Sequence, residues 1–140
     1  MRHQNITRLT LAASSTALAG ATAVAADQPQ LDGAAVDTAF EALKTYDWGA
    51  ERNTLDPIDA AVVATQGDAA ARKELETRLL DVLKGGISRS AQDYVLRTLK
   101  TIGTAESVPA LAAMLSDEDL SHMARYALER IPAAEAAAAM

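Results

Sequence analysis

No cysteine occurs anywhere in this 140-residue chain. Disulfides, thioether-linked haem, iron–sulfur clusters and thiol catalysis are excluded with it, and any fold has to be held by its packed core alone. Histidine is nearly as scarce. His3 lies at the extreme N-terminus, and His122 has no second histidine within reach on its helix, so no metal site can be read from the pair. Aromatic residues are few as well: one Phe, one Trp and three Tyr. The apolar half of the chain is mostly Ala and Leu, which favours helices over strands. A G-x-S-x-G elbow, an S-x-x-K pair and a phosphate-binding loop are all missing, and with them the usual signatures of nucleophilic and phosphate chemistry. Carboxylates are plentiful, but no spacing singles out an acid and a base. Asp117–Glu118–Asp119 lacks the alternating ligands and glycine bend of a calcium loop and reads instead as the acidic start of a helix. The chain therefore reads as a non-enzyme, with no cofactor implied.

Basic residues are also in deficit, and the formal net charge is -6. The opening stretch MRHQNITRLTLAASSTALAGATAVAA has a basic start, a short apolar run rich in Ala, Ser and Thr, and an A-x-A-like site. That pattern predicts a signal peptide over residues 1–26, cleaved near Ala25/Ala26, and a periplasmic or secreted product. The run is too short and polar to favour a retained membrane span. Loss of Arg2 and Arg8 takes the mature charge to about -8. So acidic a domain is a poor fit to nucleic acid or to an anionic membrane surface, where Lys and Arg make the contacts.

Residues 27–33 read as a linker, with Pro29 and Gly33, and the domain proper runs from Ala34 to Met140. Seven helices are predicted there. The first covers about Ala34–Tyr46 with Val36, Phe40 and Leu43 on one face. After a loop, Asp56 caps a second that begins with Pro57 and ends by Gly67. Asp68 caps a third that runs to Lys84, before Gly85–Gly86. Ser88 or Ser90 opens a fourth, which carries Val95, Leu99 and Ile102. The fifth holds Pro109 in its first turn and presents Val108, Leu111, Ala112 and Leu115. Ser116–Asp119 resembles a capping box for the sixth, whose apolar face is Leu120, Ala124, Ala127, Leu128 and Ile131. Pro132 ends it, and Ala133–Met140 opens a seventh.

A repeat underlies this succession. A shift of 29 places lays Val95, Leu99 and Ile102 on Ala124, Leu128 and Ile131, and Ala105–Glu106 on Ala134–Glu135. A shift of 32 lays Leu79, Val82 and Leu83 on Leu111, Met114 and Leu115. A period near thirty made of two helices marks an α-solenoid. The stretch GTAESVPALAAML followed by DEDLSHMARYALERIP resembles the HEAT-like repeats of bacterial exported proteins, through Val108–Pro109–Ala110–Leu111 and Arg125–Tyr126–Ala127–Leu128. The likeness is clearest over 87–140. It implies an all-α solenoid of helical hairpins. Such repeats occur in scaffolds, assembly factors and bilin lyases and specify no activity; no residue here points to the lyases.

The expected function is therefore a scaffold or protein-binding module. The alternative is an N-terminal accessory domain of a larger exported enzyme. By the same resemblance, partner contacts fall on the helix holding Val108–Leu115, with Thr104, Glu106, Ala110 and Ala113 facing outward. The segment TYDWGAERNTLDPID holds the only Trp. Trp48 reads first as a packing residue that seals the first helix pair, and second as the anchor of a recognition loop. Leu99, Leu111, Leu115 and Leu128 are expected in one core. Because Met140 falls opposite Leu111 in the repeat, the array is expected to be truncated here, with the Leu120–Ile131 face partly open and the last helix marginal unless it packs on the sixth.

Overall fold

The computed structural model describes Asp32–Met140. The expected signal peptide over 1–26, its cleavage site and the linker as far as residue 31 lie outside the described residues. Seven α-helices and three 3₁₀ turns account for most of the described chain, and no strand occurs among the described residues. The helices are α1 Gly33–Thr45, α2 Asp56–Ala64, α3 Ala69–Lys84, α4 Arg89–Ile102, α5 Val108–Ala113, α6 Ser121–Leu128 and α7 Ala134–Ala139. The fold is all-α.

Capping side chains place the starts. Asp32 Oδ1 accepts from the amides of Ala34 and Ala35 at 3.1 and 3.2 Å, so α1 begins one residue earlier than expected, at Gly33, and the linker ends at Asp32. Asp68 accepts from Ala71 N–H at 3.0 Å and opens α3. Ser88, not Ser90, caps α4: its Oγ accepts from Ala91 N–H at 3.1 Å and donates to the Tyr46 carbonyl, tying the end of α1 to the start of α4.

Two expected caps are corrected. Asp56 is the first residue of α2 rather than its cap, because a 3₁₀ turn over Arg52–Leu55 already winds the chain in. At α6 the work falls to Asp117, whose Oδ1 accepts from the amides of Asp119 and Leu120 at 2.9 and 3.0 Å. Ser116 instead ends the 3₁₀ turn Met114–Ser116, which follows a fifth helix shorter than expected. That tightening turns Leu115 aside. It is half-buried at the edge of the core, whereas Leu99, Leu111 and Leu128 are buried.

Helices pack as neighbouring pairs: α1 on α2, α3 on α4, α5 on α6. Across pairs, α4 lies against α6 and α5 against α7. Helix α4 meets α1, α3 and α6 and buries Ala91, Tyr94, Val95, Leu96, Thr98, Leu99 and Ile102, a stripe too broad for a helix with one neighbour. At its end Gly103 is held by close approach. A Cβ there would stand 2.5 Å from the Leu99 carbonyl and 3.0 Å from Ile131 Cδ1, so only glycine lets Ile131 seat against the turn.

The expected open face of the sixth helix is closed. Leu120, Ala124, Ala127, Leu128 and Ile131 are all buried. The short α7 packs chiefly on α5 and the Ala105–Ser107 turn, with Ala136 buried, rather than on α6.

Thr65, Thr98 and Ser107 are buried in this apolar frame, and with them one carboxylate. The carboxylate of Glu76, in the middle of α3, is 1% exposed. It accepts from Thr104 N–H at 2.7 Å, from Thr104 Oγ1–H at 3.0 Å and from Ser107 Oγ–H. These donors sit in the turn that launches α5, so the contact bolts the α3–α4 pair to the pair that follows.

Removing this acceptor leaves the buried Ser107 hydroxyl and the part-buried Thr104 donors without their partner. Glu76→Ala should cost about 3–5 kcal/mol in urea denaturation, comparable to Leu99→Ala at about 2–5 kcal/mol, while Leu115→Ala should cost distinctly less than Leu99→Ala. An unchanged midpoint for Glu76→Ala would show that solvent reaches the turn.

Candidate functional site

An open groove of about 1250 Å³ runs across α2, α4 and α6. Helical spacing along α4 builds its floor. Arg89, Asp93 and Arg97 follow one another at four-residue intervals, and Tyr94, Thr98 and Thr101 run beside them. Val62 of α2 forms one wall; Leu120 and Met123, at the start of α6, form the other. The Tyr46–Ala50 segment closes one end.

Its polar groups are organised as ion pairs. Arg52 bonds Asp59 at 2.7 Å and lies with its guanidinium 4.8 Å from the centre of the Tyr94 ring. Tyr94 Oη–H donates to the other oxygen of Asp59 at 2.9 Å. Arg97 Nε bonds Asp93 at 2.8 Å. Arg89 reaches Asp119 twice, through the carboxylate at 2.9 Å and the backbone carbonyl at 2.7 Å, and so ties α4 to the α6 approach. Partial burial pulls the Arg52 pKa down, but its hydrogen bond to Asp59 and the charge of that carboxylate outweigh burial and leave it above its ordinary value. Burial, reinforced by the hydrogen bond to Asp59, pushes the Tyr94 phenol far above its usual range. Tyr94 is thus a permanent donor, fixed in the floor.

Trp48 stands at the rim with 93% of its surface exposed. The expectation that it seals the first helix pair is corrected. Asp47 Oδ1 accepts from the Trp48 amide at 2.7 Å, and the following turn to Ala50 swings the indole outward, away from Leu43 and Leu55 in the core. The four residues expected on the α5 side lie apart from the groove, and none lines it. Thr104 and Glu106 are exposed in the turn before α5, Thr104 held by Glu76 and Glu106 paired with Lys73 at 2.8 Å. Ala113 is exposed and Ala110 half-buried on α5 itself.

Sequence reasoning picked out Trp48 and its loop but missed Tyr94 and the α4 line. The available signal was the polar set Arg89, Asp93 and Arg97, which leaves the Val95–Leu99–Ile102 stripe by a constant angle. No group of three or more potential metal ligands is brought together among the described residues, and His122 is exposed on α6. No helix among the described residues is long and apolar enough to cross a membrane.

Comparison with protein-family models, curated proteins and solved structures gives no match for this chain.

Alkaline titration checks the groove floor. Tyr126, whose phenolic oxygen accepts from Lys100 Nζ at 3.2 Å, ionises below its ordinary value because of that bond and charge, so it should titrate before Tyr94. A phenol harder to ionise folded than unfolded contributes stability in full below about pH 10 and loses it as pH rises above. Tyr94→Phe should therefore flatten the alkaline fall in stability, as read by urea midpoints from pH 8 to 11; an equally steep fall would remove Tyr94 as its cause.

Proposed function

We propose that this chain is an exported, non-enzymatic module of HEAT-like helical hairpins that binds a protein partner along the α2–α4–α6 groove. The observation that carries the reading is the exposed Trp48 at the rim of a groove that spans three helices. A bare indole loses favourable burial until something covers it, and Trp, Tyr and Arg are the residues in which interface energy concentrates. Tyr46, Tyr94, Arg52, Arg89 and Arg97 line the same groove.

Support for an α-solenoid comes from agreement between sequence register and packing. Helices α4 and α6 are related by the 29-residue shift and lie side by side; α5 and α7 are related by the same shift and do likewise. Side-by-side stacking of equivalent helices is what a helical repeat array requires. In such an array α2, α4 and α6 form one layer and α1, α3, α5 and α7 the other. An exported location rests on the N-terminal sequence pattern. A protein partner, rather than a nucleic acid, follows from the acidic balance.

A photo-crosslinking residue at Arg97 should capture a discrete protein from the exported fraction of the source cell, and Trp48→Ala should abolish that adduct while leaving the melting temperature within about 1 °C, as befits so exposed a side chain. Adducts formed only from Ala110 and Ala113 would transfer the contact surface to α5. Adducts that survive Trp48→Ala would detach binding from the groove.

A further inference from the structure

The charges around the groove are unequally satisfied. Five carboxylates line it or bond to its arginines: Asp47, Asp56, Asp59, Asp93 and Asp119. Three arginines face them. Arg52 holds Asp56 and Asp59, Arg97 holds Asp93, and Arg89 holds Asp119. Asp47 alone has no cation among the described residues; one of its oxygens takes the Trp48 amide and the other is open to solvent. It adjoins the one fully exposed indole of the chain, and an indole face is the best aromatic surface for a cation.

We propose that the partner inserts a lysine or arginine at the Asp47–Trp48 end of the groove, with a neighbouring aliphatic side chain against Val62 and Met123. This rests on the groove being the binding surface and says what the groove selects. Charge complementarity argues for it at two ranges. Locally, each arginine already has a carboxylate, so an acidic ligand would have to displace one, whereas a basic ligand completes an unfilled pair and stacks on Trp48. At long range, a chain of net charge -6 draws basic ligands toward it and repels acidic ones. Aliphatic walls beside a cation site suit an amphipathic peptide better than an isolated ion.

The single Trp makes the test direct, because its emission reports on this end of the groove alone. The probes are three peptides of about ten residues, in which leucine alternates with lysine, with glutamate or with serine. At low salt the lysine peptide should shift Trp48 emission saturably to shorter wavelength, with an affinity at least tenfold above that of the other two. Asp47→Lys, a change at an exposed position, should weaken it more than tenfold, and Asp47→Asn about threefold. Equal or tighter binding of the serine or glutamate peptide would overturn the basic anchor and leave the groove standing as a binding surface. Lysine-peptide binding unmoved by Asp47→Lys would also overturn the anchor. Trp48 emission that no peptide alters would overturn the anchor and the groove together.

Discussion

The contact on which the packing of successive helix pairs depends is the one that Glu76 makes with the turn before α5. Apolar packing leaves some latitude in register, since hydrophobic cores lose uniqueness before they lose stability. A buried carboxylate does not slide. Glu76 has to meet Thr104 N–H, Thr104 Oγ1–H and Ser107 Oγ–H together, and only one placement of α3 against the turn satisfies all three. The same turn is secured from its own side, because Thr104 Oγ1 also accepts from Glu106 N–H at 3.2 Å and closes the 3₁₀ turn locally. Outside it, Lys73 and Glu106 form an exposed pair that contributes little. Register between the pairs is therefore a polar property of an otherwise apolar core.

That division of labour fits a chain with no cysteine and few large side chains. Packing must supply the stability that cross-links do not, and in the described residues it is concentrated on α4, which meets α1, α3 and α6. Ala91, Ala124 and Ala127, all buried, are the consequence: small residues let the helix backbones approach. Gly103 does the same at the end of α4, where the neighbouring Ile131 takes the space a side chain would need. Ile131, which the 29-residue shift lays on Ile102, thus seats against the glycine that follows Ile102.

Much of the helical order was legible beforehand, since it rests on local physics. Asp68, Ser88, Gly86 and the apolar faces of α1, α3, α4 and α6 are short-range signals, and they hold. The misread caps fail for a shared reason. At Asp56 and Ser116 a 3₁₀ turn runs into or out of the helix, and 3₁₀ turns leave no periodic mark in three or four residues. Leu115 fails as a consequence, its direction set by the turn and not by helical spacing. The closed face of α6 and the seating of α7 on α5 were beyond periodicity, because a stripe says that a helix is covered and not by what. Trp48 was misjudged by a general rule, that large aromatics in small domains go inward, which a local hydrogen bond from its own amide to Asp47 defeats. Tyr94 was invisible for the opposite reason: it lies just off the Val95–Leu99 stripe, and only the approach of Asp59 and Arg52 from other elements gives it a role.

The buried tie and the groove do not compete. Glu76, Thr104 and Ser107 belong to α3 and the turn before α5, whereas the groove belongs to α2, α4 and α6. Helix α4 serves the core and the groove, burying Val95, Leu96 and Leu99 while Asp93 and Arg97 face the groove. Its conformation is over-determined by the core, so its outward side chains are presented on a rigid support. The exposed indole follows from the same arrangement. The core is closed by Leu43, Leu55 and the buried stripe of α4 without it, so Trp48 is not needed inside and its apolar surface stays exposed.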